Sequence, residues 1–227
     1  MKKLSFILII LIFISSCTTE SSDDVQVSAI YQSYLLSFDI TGSETMACAQ
    51  FRDGGALGND VILNSPSSIT LNGEVLVHQN VGYELYYHYY KSFAGEQKVA
   101  TFVFTDKNNT SYTNSADLNS LSIIGFPAGL DTIPKSADYV FAWVGGAVQA
   151  DEDVELRLFS ADTSFVYSPM GSATSLTIPE TNLSAFQEGM INMSLTRQRK
   201  DNLQASTGKG GHINLEYSSN QDCYIKN

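Results

Sequence analysis

Three histidines, His78, His88 and His212, are the only imidazoles in the chain, and imidazole is the side chain best suited to acid–base work near neutral pH. Each lies in or beside a strand-like run, and none has a carboxylate neighbour at a suggestive spacing. Any catalytic group built on them has to be assembled by folding, because triads are set by geometry and not by order. Nucleophile elbow, HExxH, Walker and dinucleotide Gly patterns are all missing. The sequence therefore assigns no catalytic residue and no cofactor, and it favours a non-enzymatic role.

The run Asp151-Glu152-Asp153 is the candidate metal site, since hard oxygen donors on one loop suit calcium. It lacks the Asp-x-Asp-x-Asp-Gly spacing that turns successive carboxylates toward one ion. Neighbouring side chains also diverge in an extended chain, so a solvated loop is the favoured reading. Asp53 and Asp60, on either side of a Gly-rich loop, are weighed the same way. Cys48 and Cys223 with three dispersed histidines give no familiar zinc spacing. Two separate thiols are expected in preference to a bridge between them.

A binding surface is easier to read than a reaction. From Tyr83 to Tyr90 the chain reads Tyr-Glu-Leu-Tyr-Tyr-His-Tyr-Tyr. As a strand it places Tyr83, Leu85, Tyr87 and Tyr89 on one face and Glu84, Tyr86, His88 and Tyr90 on the other. Leu85 marks the first as inward and Glu84 the second as outward. Tyr86, His88 and Tyr90 then form a stripe of rings about 6.8 Å apart, a candidate ligand-binding surface for a glycan or another protein. Cross-strand aromatic packing is the competing and favoured role.

The N-terminus carries the address. Lys2 and Lys3 precede a nearly unbroken apolar run from Leu4 to Ile14, within the ~7–15 residues of a signal core and short of the ~20 needed to span a bilayer. Ile14-Ser15-Ser16-Cys17 resembles the lipobox of bacterial lipoproteins. That resemblance implies a signal peptide at 1–16, lipid on Cys17 and a membrane-anchored mature chain. Residues 17–24 are polar and acidic and read as a tether. They resemble the export signal of Bacteroidota surface lipoproteins, which implies an outer-membrane, cell-surface location. Asp131-Thr132-Ile133 resembles the O-glycosylation motif of the same lineage and implies a sugar on Thr132, in a segment expected to be an exposed loop.

Loss of Lys2 and Lys3 with the signal takes 13 basic residues to 11 against 24 acidic ones, and the formal net charge from −11 to −13. The densest basic group is Arg197, Arg199 and Lys200. No cluster can follow a phosphate backbone, so nucleic acid is excluded as a partner class.

The elements that must position these residues are strands. Period-two alternation rich in Val, Ile, Thr, Tyr and Phe recurs in Val25–Asp39, Thr45–Phe51, Asp60–Leu63, Glu74–His78, Tyr83–Tyr90 and Lys98–Phe104. A second set comprises Leu121–Phe126, Tyr139–Val144, Val154–Ser160, Ser175–Ile178, Met190–Leu195 and His212–Tyr217, with one helical turn near Leu183–Phe186. Asn72-Gly73 is the clearest hairpin turn, and Trp143 with Phe141 is the candidate central plug. The expectation is an all-β protein of two immunoglobulin-like β-sandwich modules in tandem, at 25–117 and 118–227, with one larger sandwich as the alternative. Its expected role is a non-catalytic binding module for glycan or envelope protein, or an accessory subunit with no ligand of its own.

Overall fold

A computed structural model describes residues 19–79 and 88–227. Cys17 and Tyr86 therefore lie outside the described residues. The protein is mostly β, with several sheets and one short helix, Glu180–Leu183. Eight strands make the main sheet. In chain order they are β1 (Ile30–Asp39), β2 (Glu44–Asp53), β3 (Tyr89–Ala94), β4 (Thr132–Pro134), β5 (Glu152–Phe159), β6 (Ser164–Tyr167), β7 (Gly189–Asn202) and β8 (Gly211–Lys226). Their spatial order is β6-β5-β7-β8-β1-β2-β3.

The C-terminal strand decides the architecture. β8 pairs antiparallel with β7 along almost its whole length, and its other edge runs parallel first to β1 and then to β4. Residues 117/118, expected to separate two modules, do not separate two sheets: β1 to β3 precede that point and β4 to β8 follow it. Gly211 makes the join close. Its φ is +152°, and a Cβ there would lie 1.8 Å from the Gln32 carbonyl oxygen, so only glycine lets β8 start beside β1.

A four-stranded sheet of order Glu74–Val75, Ser68–Leu71, Val99–Thr105, Ser111–Asp117 covers the inner face of β1 and β2. Tyr34 stacks on Phe102 at 4.7 Å, and Phe51 meets Phe104 at the same separation. Asn72 and Gly73 both have positive φ and join Leu71 to Glu74, as a type I′ turn requires. Over the other half of the inner face, the pair Tyr139–Ala142 and Ser175–Ile178 contributes Phe141 and Ile178 to the same apolar core as Leu156, Met193 and Leu195. Trp143 and Phe141 are both buried there.

Three segments depart from expectation, each because polar residues occupy inward positions. β7 continues past Leu195 with Arg197 facing inward and 0% exposed. Its guanidinium donates to the carbonyls of Gly146 and Ser122, and Glu152 lies 3.8 Å from its Nε. β8 continues past Tyr217 through Ser219, Gln221 and Cys223. Ser111–Asp117, which falls in neither expected set of strands, is a strand whose buried Asn114 donates to Ala205 O and accepts from Gln204 N. Hydrogen bonds offset the desolvation that would otherwise keep such side chains out.

The expected tether is also bound to the body. Glu20–Ser21 pairs parallel with Val61–Ile62, Ser22 is 1% exposed, and its hydroxyl accepts from Asn64 N at 2.9 Å. Acidic composition suggested solvated chain, but the backbone finds a strand to pair with. No helix among the described residues is long and apolar enough to cross a membrane.

Candidate functional site

The strands that join the two halves of the chain also join its histidines. His212 opens the outward face of β8, beside Ser33 on β1 and then Gln50 on β2. Its Nε2 is 3.1 Å from Ser33 Oγ and its Nδ1 is 2.7 Å from Tyr31 Oη. Gln50 Nε2 donates to Asp60 Oδ1 at 2.7 Å, and Arg52 Nε donates to the same oxygen at 3.3 Å. The other oxygen, Oδ2, sits 3.2 Å from His88 Nε2. His88 in turn stacks on His78, with ring centroids 5.2 Å apart and planes 15° from parallel. Residues dispersed from 31 to 212 thus form one polar band at one end of the outer sheet face.

His212 and Ser33 have the spacing of a base and a nucleophile, but not the electrostatics. Burial, with Lys200 and Arg52 adding positive charge nearby, pushes the His212 imidazole down to about 4. A general base must become imidazolium in the transition state, and that cation is opposed here. The residue oriented against Nδ1 is a tyrosine and not a carboxylate, so no anion compensates. The arrangement holds a neutral ring rigidly. His88 differs in its partner, since the Asp60 carboxylate stands 3.2 Å from its Nε2.

Comparison with protein-family models and with curated proteins finds no match. Placement of each chemical group therefore rests on geometry. Asp151 and Asp153 are exposed, whereas Glu152 between them turns inward to Arg197 and accepts from Gln149 N at 3.1 Å. The three carboxylates do not converge, because successive strand residues face opposite ways. Among the described residues no group of three or more His, Cys, Asp and Glu is placed to hold a metal ion. Cys48 and Cys223 are free and buried on opposite faces of the main sheet. Burial, reinforced by Glu216, pushes Cys48 up to about 12, and burial with Asp131 pushes Cys223 up to about 11. Both are protonated and unreactive at neutral pH.

Of the expected aromatic stripe, His88 belongs to the polar band and Tyr90 is half-buried opposite Cys48. Tyr89 is buried against Phe51, and its hydroxyl accepts from Leu63 N at 2.7 Å. Thr132 lies half-buried on β4 beside Tyr224, where an exposed loop was expected.

A concave surface lies further along the outer face. Arg157, Ser194 and Asn220 stand in register across β5, β7 and β8. Together with Glu155, Phe159, Thr196 and Ser164 they line an open depression of about 480 Å³. Arg157 is held by Glu155 at 3.0 Å, and Phe159 offers part of a ring to solvent. Sequence reading missed this surface because its residues come from four strands and are individually ordinary polar positions.

Proposed function

We propose that the protein is a lipid-anchored, extracytoplasmic binding module without catalytic activity, and that the depression on β5 to β8 receives a neutral glycan. The observation that carries this reading is the composition of that surface. Short hydroxyl and amide side chains, one oriented guanidinium and one ring face suit the alternating hydroxyls and apolar faces of a sugar. Anchorage through Cys17 rests on the lipobox resemblance. It gains meaning from the bound segment after it: Glu20, already paired into the fold, stands three positions from Cys17. An extended chain of that length reaches only about 11 Å, so the body would lie close against the bilayer.

A glycan array probed with the full-length chain is expected to give signal that is lost in Arg157→Ala with Phe159→Ala and kept in Tyr90→Ala. Signal surviving the double substitution would remove the depression from the account. Metabolic labelling with a palmitate analogue, lost in Cys17→Ser, tests the anchor separately. An accessory subunit without a ligand of its own is the second reading, favoured by Val140, Ala142 and Val144, which alternate along one exposed stretch of chain.

A further inference from the structure

We propose that the end of the body built by the loops 53–60 and 203–210 lies on the bilayer, with Leu57 seated among the lipid headgroups and upper acyl chains. That placement rests on the Cys17 anchor and adds to it the face that the protein turns to its membrane. Leu57 is 99% exposed, more than any other large apolar side chain among the described residues. A lone exposed leucine is ordinary. This one differs because its loop is held in shape and because the chain that follows Cys17 enters the fold beside it.

The loop is tight at Gly58, where a Cβ would lie 1.5 Å from the Asp53 carbonyl oxygen. Gly58 N donates to Gly55 O at 3.0 Å, Asp53 N donates to Asn59 O at 2.9 Å, and the Arg52 guanidinium donates to Ala56 O. Backbone on both sides of Leu57 is thus fixed while its side chain stands in solvent, so little ordering remains to oppose insertion. The entering chain is fastened to the same loop. Asn59 Nδ2 donates to Glu20 Oε1 at 2.6 Å, and Glu20 N donates to Asp60 O at 2.8 Å. Leu57 is two positions from Asn59, at most about 7 Å of chain, and Cys17 is three positions from Glu20, about 11 Å. A lipid on Cys17 and the Leu57 side chain therefore meet the same patch of bilayer. Loop 203–210 closes at this end too, where Gln32 N donates to Gly210 O at 3.1 Å and Gly54 N donates to Ala29 O at 2.9 Å. Exposed charge here is mixed, Asp23 and Asp24 against Lys209, so the contact is apolar and does not depend on anionic lipid. One leucine is too little to recruit a free chain, but beside a lipid anchor its insertion is intramolecular. Ser194 of the depression lies eight residues along β7 from Asn202, about 26 Å, so this orientation leaves the depression in solvent.

The full-length lipidated chain carrying Leu57→Cys is labelled with an environment-sensitive fluorophore and reconstituted into phosphatidylcholine vesicles. Native Cys48 and Cys223 are buried and do not compete for the label. Ala161→Cys, on the exposed turn between β5 and β6 at the far end of the sheet, is the control. The label at 57 is expected to shift to the blue and to be quenched by lipids spin-labelled near the headgroup, while the label at 161 keeps its aqueous spectrum. A chain that floats with the vesicles while the label at 57 stays aqueous would overturn the membrane face and leave the anchor standing. Equal shifts at 57 and 161 would overturn it as well, since they report adsorption without orientation. A chain that does not float removes the anchor, and the membrane face with it.

Discussion

At the scale of single residues, the three histidines divide by environment. His212 is neutral because burial and two cations oppose its charge, whereas His88 faces a carboxylate. The difference has a consequence for stability. In the unfolded chain His212 takes up a proton near pH 6.5, and in the folded chain only near 4. Between those values the unfolded state binds more protons, so stability is complete above about 6.5 and is lost as pH falls toward 4. On the order of 2 kcal/mol is at stake, after allowing for solvent screening of a ring that is only partly buried. His78 is lowered too and acts in the same sense. Glu216, raised by burial and by Glu155, acts in the opposite sense over its own range. Urea midpoints of wild type and His212→Gln at pH 7 and pH 4.5 are expected to converge as pH falls. Parallel pH profiles would remove His212 as the titrating group. None of this was legible in the sequence, where 78, 88 and 212 have no common pattern. Their meeting depends on β8 lying beside β1, a long-range parallel pairing that local periodicity does not encode.

Elements were legible where composition and burial agree. The Asn72-Gly73 hairpin, the alternation of Val99–Thr105 and the limits of Ser175–Ile178 follow from turn chemistry and period two. They were illegible where inward positions are polar, as in the second halves of β7 and β8, because Arg197, Ser219 and Gln221 read as surface. Gly211 marks the same limit. Nothing in its neighbourhood announces that a Cβ would strike Gln32. Gly211→Ala combines a strained backbone with an overpacked contact, each costing about 1–3 kcal/mol, so a loss of roughly 2–6 kcal/mol is expected. Gly171→Ala, where the added methyl meets nothing within 4 Å, is expected to stay within about 0.5 kcal/mol of wild type. Thermal melts of the two variants compare these directly. Equal melting temperatures would mean that β8 can move away from β1 without penalty, and the close join would lose its significance.

For the whole molecule, the issue is whether the chain folds as one cooperative body or as two. Ile213, Leu215 and Tyr217 of β8 stand beside Tyr34, Leu36 and Phe38 of β1, and all six are buried. A chain ending at 117 would lose the first three and leave the other three along an open sheet edge. Burying a large apolar side chain is worth about 1.5–3 kcal/mol, so that loss is of the same size as the roughly 5–15 kcal/mol that holds an ordinary domain together. Asn114 would also lose the Ala205 carbonyl and the Gln204 amide, leaving a buried amide unpaired. Residues 25–117 expressed alone are therefore expected to give a poorly dispersed amide NMR spectrum, and the full-length chain a single unfolding transition seen alike by far-ultraviolet and tryptophan signals. Trp143 reports from the second half, so coincidence of the two signals tests coupling across residues 117/118. A dispersed spectrum from 25–117, or two separated transitions, would restore a pair of independent modules and make the β1–β8 contact a docking interface between them.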